Sequence, residues 1–254
     1  MQTKAIIIKK ENTNEYDQWV TCYTEEFGKI KAIAKSILKP NSIQALHLDN
    51  FNLAEFDLIN GRGMPIITGA QVIDSFGGIK SSFAKTVIAY FFAEAIDKMI
   101  FENDKDERLW PFLITFLDKL NKCDYNPNLQ IVSEGPEYKE KNFNLLFLLR
   151  EGQTKLLDIL GYFPEASSCK ACEDKLDESN FGAFNYLLGG IVCKRCFLSG
   201  HGGILISHDE FSLLRFNLML SLNLNRYRRS VLDGMFEYIS GSKFYSLELL
   251  NMVK

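Results

Sequence analysis

Histidine is scarce in this chain: His47, His201 and His208 are the three it has, and none is paired with an obvious nucleophile. No G-x-S-x-G, no phosphate-binding G-x4-G-K-[ST] and no H-E-x-x-H occurs. These absences move the odds from catalysis toward binding. No run reaches the about 20 apolar residues that span a bilayer, and the apolar stretch at residues 5–8 is too short for the core of a signal peptide. The expectation is a cytoplasmic protein with no membrane partner. Internal repeats and low-complexity tracts are also missing. Cysteine is sparse too: six in 254 residues do not make a disulfide scaffold. In a reducing compartment, paired cysteines more often bind metal or act catalytically.

What is present is enough for a core, with 46% hydrophobic and 24% charged residues. The net charge of -3 gives no hint of a nucleic-acid partner, but an average hides local fields. Residues 27–48 contain no Asp or Glu, and Lys29, Lys31, Lys35 and Lys39 all fall inside that window.

The first 80 or so residues read as short strands: "TKAIIIKK", "QWVTCYTEE", "GKIKAIAKS", "FNLAEFDLIN" and "MPIITGAQVIDSF", with Gly28 and "NGRG" as turns. Five strands of this length fit an OB-type β-barrel, and periodicity alone leaves an SH3-like barrel open. The pattern then turns helical. "SSFAKTVIAYFFAEAIDKMI" is apolar around most of its circumference and predicts a buried helix. In "DERLWPFLITFLDKL", Pro111 either kinks the helix or shifts its start. Residues 124–142, with Pro127, Gly135 and Pro136, read as a long loop. A third helix over residues 142–160 stops at Gly161, with Pro164 just beyond. After the cysteine segment, Ser207 and Glu210 form a capping box before "FSLLRFNLML", and two more short helices follow. The fold class is therefore α+β and multidomain. An amino-terminal OB-type barrel spans residues 1–80, and a helical domain spans 81–164 and 204–254. A four-cysteine zinc finger, residues 165–203, is inserted in the helical domain.

Cys169, Cys172, Cys193 and Cys196 are spaced C-x2-C-x20-C-x2-C. Each x2 spacing lets two sulfurs reach one ion at about 2.3 Å, and two such knuckles close a tetrahedron, which favours one structural Zn2+. Lys170, Lys194 and Arg195 lie inside the knuckles, where positive charge offsets a tetrathiolate, and Gly189 with Gly190 supplies a tight turn. Four cysteines close the site, whereas catalysis needs an open position. His201 in place of one ligand is the less favoured reading, a surface residue the more favoured. Redox chemistry would want a βαβ setting that is not there. Cys22 and Cys123 read as single thiols without function.

In "GKIKAIAKS", alternation puts Lys29, Lys31, Ile33 and Lys35 on one face, opposite Ile30, Ala32 and Ala34. Those lysines can follow several phosphates, with Lys39 extending the line and Arg62 approaching from another turn. Trp19 and Tyr23 share a face as well, either as core, the favoured reading, or as rings on which bases stack. A second basic cluster, Arg226, Arg228 and Arg229 around Tyr227, is either a solvated face or a nucleic-acid contact.

The order of barrel, helical bundle and four-cysteine finger resembles the bacterial recombination mediator family RecO. The resemblance is carried by "KAIIIKKENTNEYDQWVTCYTEEFGKIKAIAK", with Glu15, Asp17, Val20, Thr21, Thr24, Gly28, Lys29, Ala34 and Lys35 in matching places. It continues through "FNLAEFDLINGRGMPIITGAQVIDSF", "LLDILGYFP", the first knuckle, "GGIVCKRC" and "ISHDEFSLLR", spanning nearly the whole chain. It implies a non-enzymatic, nucleoid-associated DNA-repair protein with an amino-terminal OB fold. Such a protein binds single- and double-stranded DNA, anneals complementary strands coated by single-strand binding protein, and works with RecR to load RecA recombinase. The chain departs from the family at Leu38 and Asn41, usually basic positions, which shifts weight toward the arginines at 226–229. Two other classes compete: a zinc-containing interaction adaptor without a direct DNA role, and a zinc hydrolase or nuclease.

Overall fold

The computed structural model describes residues 1–124, 145–216 and 227–252. The chain divides into two compact units, Met1–Cys123 and Asp124–Lys254.

In the first unit every expected strand is found. β1 (Gln2–Asn12), β2 (Gln18–Thr24), β3 (Gly28–Ala34), β4 (Leu53–Ile59) and β5 (Ile66–Asp74) close a barrel in the order β1-β2-β3-β5-β4. β1 is long enough to close the ring. It pairs β4 from Gln2↔Asp57 to Ile6↔Leu53 and β2 from Ala5↔Thr24 to Asn12↔Gln18, with a register shift between Ile7 and Lys9 that bends it. β3 and β5 pair in parallel at Ile33↔Ile66 and Ala34↔Ile67, and the other neighbours are antiparallel. This order makes the barrel OB-like and closes the choice that periodicity left open.

Alternation decides what lies inside. Ala5, Ala32, Ala34 and Ala54 keep the bore narrow, and Phe56 and Leu58 fill it. α1 (Gln44–His47) leads into Leu48, which joins that core. The Val72 N–H donates to His47 Nδ1 at 3.2 Å, so this histidine ties α1 to β5.

α2 (Gly77–Lys80), α3 (Phe83–Met99) and α4 (Leu109–Lys122) belong to the same unit. α3 is apolar nearly all round because it packs on both β1 and α4, where the Phe92 and Phe116 rings lie 4.1 Å apart. Pro111 falls in the first turn of α4, where an N–H would have no helical partner, so it marks the start without a kink.

In the second unit, α5 (Leu145–Ile159) ends as its sequence dictates. Gly161 takes φ 76°, and the Tyr162 N–H turns back to the Leu157 carbonyl at 2.8 Å. β6 (Phe181–Asn185), β7 (Gly190–Cys193) and β8 (Ile204–Leu205) form a sheet in the order β7-β6-β8. α6 (Lys194–Cys196) and a wider turn, Phe197–His201, join β7 to β8. The sheet packs on α7 (His208–Phe216), with Phe181 stacked on Phe211 at 4.5 Å. The Ser207–Glu210 box forms: the Glu210 N–H donates to Ser207 Oγ at 3.2 Å, and the Ser207 N–H to Glu210 Oε2 at 3.1 Å. α8 (Val231–Ser240) and α9 (Tyr245–Leu250) are the two short helices expected after it. The loop expected beyond residue 124, the continuation of α7 to residue 220, and Arg226 lie outside the described residues. Among the described residues, no helix is long and apolar enough to cross a membrane.

Candidate nucleic-acid interface and metal centre

The strand register lays three rows across the outer face of β1, β2 and β3: Ile6–Tyr23–Lys29, Lys9–Thr21–Lys31 and Glu11–Trp19–Ile33. The first row is covered. Tyr23 is fully buried, its hydroxyl donating to the Asp106 carbonyl at 3.3 Å and accepting from the Asp106 N–H at 3.1 Å. Lys29 is 7% exposed, and its ammonium donates to the Asp97 carbonyl at 2.6 Å and the Ile96 carbonyl at 3.5 Å, in the last turns of α3. Burial pushes its pKa down, against the charges of Asp97 and Glu102. Lys29 shares the outer face with Lys31, as alternation expects, but the end of α3 covers it instead of leaving it open to phosphates, and Tyr23 is core. Gly28 makes the cover possible. It takes φ 68°, and a Cβ there would lie 2.1 Å from the Asp104 carbonyl oxygen.

The other two rows are more open: Lys9 is exposed and Lys31, Glu11, Trp19 and Ile33 are half-buried, with Thr21 buried between Lys9 and Lys31. The Lys31 ammonium lies 4.1 Å from the centroid of the half-buried Trp19 ring and 3.5 Å from Glu11 Oε2. Glu11 also holds Lys9 at 3.1 Å. Lys35, Lys39 and Arg62 are exposed. The β1–β2 loop positions the first two. The Ser36 N–H donates to Asp17 Oδ1 at 2.6 Å and the Leu38 N–H to the Tyr16 carbonyl at 3.0 Å, while Lys39 sits 5.4 Å from the Tyr16 ring. Hydrogen bonds from Asn14 and the Ser36 N–H hold the Asp17 carboxyl below its ordinary pKa, and Lys35 and Lys39 add to the effect. The Ile33 N–H donates to the Pro65 carbonyl at 2.9 Å, which seats the β4–β5 loop carrying Arg62 against β3.

In the second unit the four predicted cysteines converge, with all four Sγ atoms within 4.8 Å of one another. Cys172 and Cys193 Sγ are 3.8 Å apart, the edge of a tetrahedron with metal–sulfur bonds of about 2.3 Å. The geometry and the all-sulfur donor set fit a closed tetrahedral metal site. The N–H groups of Cys193 and Ala171 point at Cys169 Sγ from 3.3 and 3.5 Å, and the Cys196 N–H at Cys193 Sγ from 3.5 Å. Burial disfavours a Cys169 thiolate, but the N–H groups of Cys193, Ala171 and Cys172 outweigh it and bring the thiol down to about 6. Of the three knuckle cations, Arg195 reaches sulfur, 3.7 Å from Cys172. Lys170 instead pairs with Glu165 at 3.4 Å, and Lys194 donates to the Ser179 carbonyl at 2.8 Å. Gly189 turns the chain between β6 and β7 at φ 65°. His201 is exposed and outside the cluster. Cys22 lies inside the barrel, where burial raises its thiol pKa, and Cys123 is buried too.

The second basic cluster rests on a buried network that sequence reasoning missed. Arg150 Nη1 donates to Asp233 Oδ1 at 2.7 Å, Gln153 Nε2 to the same oxygen at 2.7 Å, and the hydroxyl of buried Tyr227 to Asp233 Oδ2 at 2.9 Å. Arg150 Nη2 also holds the Arg228 carbonyl at 2.8 Å. Burial works against the Asp233 carboxylate, but the Arg150 charge and these donors keep its pKa below the ordinary range. Arg228 and Arg229 are exposed, and Arg229 pairs with Glu237. The available signals were a lone arginine inside "LLFLLREG" and the S-x-x-D spacing of Ser230 and Asp233.

Two family models match the chain: Recombination protein O N terminal over residues 1–76 and Recombination protein O C terminal over residues 138–237. The chain belongs to the RecO family. Curated relatives named DNA repair protein RecO cover most of it. That of Syntrophomonas wolfei subsp. wolfei is 28% identical over 214 residues, 84% of this chain and 77% of the relative. That of Acetivibrio thermocellus is 29% identical over 238 residues, 92% of this chain and 87% of the relative. A Dehalococcoides mccartyi relative is 29% identical over 216 residues, 85% and 77% of the two chains. The RecO amino-terminal match spans the barrel, and the RecO carboxy-terminal match spans both the cysteine cluster and the Arg150–Asp233 pair. Several positions that carried the resemblance to RecO have structural tasks here. Asp17 holds Ser36, Thr24 Oγ1 donates to the Gly28 carbonyl at 3.0 Å, Lys29 docks the end of α3, and Gly28 admits the Asp104 backbone in the loop after it.

Proposed function

We propose that this RecO-family chain binds single- and double-stranded DNA on the open half of its barrel. In this reading it anneals complementary strands coated by single-strand binding protein and, with RecR, helps load RecA recombinase. One observation carries it: Lys31 lies over the Trp19 ring and Lys39 over the Tyr16 ring, with exposed Lys35 beside Asp17, on a chain whose net charge is -3. Arg62 and Arg228 add exposed cations, and Arg226 and Arg229 extend the second cluster. Annealing breaks no covalent bond. The protein has only to screen phosphate repulsion and hold two strands together, so the reading needs no catalytic group, and the protein is not an enzyme. Zinc is the ion we assign to Cys169, Cys172, Cys193 and Cys196. Its contribution there is folding energy, because four thiolates leave no position for water or substrate, which also weakens the hydrolase reading. The protein works in the cytoplasm, at the nucleoid.

The test uses complementary oligonucleotides coated with single-strand binding protein, with duplex formation followed by fluorescence and no nucleotide present. Annealing should proceed and slow steeply with salt. Absence of annealing by the folded chain would sink the reading, and degradation of the oligonucleotides would replace it with a nuclease.

A further inference from the structure

Trp19 is the aromatic ring at the centre of the open rows, and a cation occupies its face. Glu11 stands directly opposite Trp19 across the β1–β2 ladder, and Lys31 sits one row over, opposite Thr21. Lys31 Nζ sits over the indole, 4.1 Å from the ring centroid, and Glu11 Oε2 holds it there from 3.5 Å. We propose, resting on the DNA-binding reading, that Glu11 and Lys31 form a latch over Trp19 that a single strand opens. A base stacks on the indole while the Lys31 ammonium passes from Glu11 to a neighbouring phosphate.

Three features carry this. Stacking of a base on an aromatic ring is a larger effect than an ammonium held over one at a partly exposed site, so the base displaces the lysine. The displaced lysine exchanges one anion for another, so no charge is stranded. Glu11 keeps Lys9 at 3.1 Å, and Lys9 reaches Asp97 at 3.4 Å, so the carboxylate stays paired when Lys31 leaves. A duplex cannot do the same, because its bases are stacked inside and offer no face to Trp19. It is left with the phosphate contacts of Lys35 and Lys39. The latch therefore selects single strands on a surface whose charge alone would bind either form.

The chain has two tryptophans, Trp19 and Trp110, so Trp110→Phe in the full chain isolates the emission of Trp19. This variant is titrated with oligo-dT and with a duplex of equal length, while the anisotropy of labelled DNA reports binding. Single strands should quench Trp19 and duplex should not. Trp19→Leu should weaken single-strand binding by about tenfold or more while leaving duplex binding within about twofold. Glu11→Gln, a change at the surface, should tighten single-strand binding by about threefold, because phosphate no longer competes with a carboxylate for Lys31. The latch is overturned if oligo-dT binds at saturation with Trp19 emission unmoved, if Trp19→Leu weakens both DNA forms alike, or if Glu11→Gln weakens single-strand binding. If the folded chain binds neither form, the DNA-binding reading falls, and the latch with it.

Discussion

Inside the barrel the fixing contacts are apolar and follow from strand register: four alanines set the bore, and Phe56 and Leu58 fill it. In the carboxy-terminal unit an apolar core is joined by sulfur and charge brought together from distant positions, Cys169 with Cys193 and Arg150 with Asp233. The difference concerns how each region fails. An apolar core loses stability in proportion to the area and volume removed, whereas a metal cluster or a buried ion pair fails when one member goes, because the partners are left unsatisfied. The barrel should tolerate single changes that the second unit does not.

The strongest break of that comparison is loss of the metal. The protein should contain about one zinc per chain, and Cys193→Ser should remove it and unfold the segment around β6 and β7, since structural zinc contributes roughly 10 kcal/mol or more in small metal modules. Hydrogen exchange should then show lost protection at residues 181–193 with the barrel strands unchanged, and Cys123→Ser should have a far smaller effect. Reduced protein with less than half an equivalent of zinc would count against the assignment.

Next in size is the buried pair. Asp233→Ala leaves the Arg150 guanidinium uncompensated, and should cost about 3–5 kcal/mol by denaturant unfolding. The acid limb carries the same information. Asp233 has a folded pKa below its unfolded value of about 3.9. Its stabilisation is therefore complete above the unfolded value and is lost as pH falls through the folded one. Asp233→Asn should flatten that part of the stability profile. An unchanged acid limb would mean that other carboxylates dominate it.

In the barrel, Gly28→Ala should cost about 2 kcal/mol or more, from a left-handed backbone and a Cβ driven into the Asp104 carbonyl. The loss should appear as exposure of Tyr23, while the inner core persists.

The same contrast decides what could be read from sequence. Period-two alternation found all five strands, because the inside of a barrel imposes it. The knuckle spacing picked out the four cysteines that converge, because each x2 turn brings two sulfurs toward one point. The Ser207–Glu210 box was legible because both partners lie within one turn. Alternation assigns Lys29 to the outer face but carries no mark of a helix end, 67 and 68 residues later, that covers it. Arg150 and Asp233 stand 83 positions apart, and Glu11 gains its meaning only when β1 lies beside β2. Polar partners distant in sequence leave no periodic trace.

The smallest expected effect is the sharpest test of the covered start of β3 against the turn that follows it. Lys39 and Lys35 lie on the open surface, held by the Asp17–Ser36 clamp, and Lys29 lies under α3 with its ammonium committed to backbone carbonyls. A lysine that neutralises one phosphate releases about one counterion when DNA binds, so Lys39→Ala or Lys35→Ala should lower the logarithmic salt slope by about one unit without altering the melting temperature. Lys29→Met should do the reverse. It removes the donor to the last turns of α3 and lowers stability, yet any DNA bound by the folded fraction keeps its full slope. Anisotropy titrations at several salt concentrations, paired with thermal melts, separate the two effects. A slope that falls with Lys29→Met would mean that α3 lifts from the barrel when DNA binds, and the covered start of β3 would then belong to the interface.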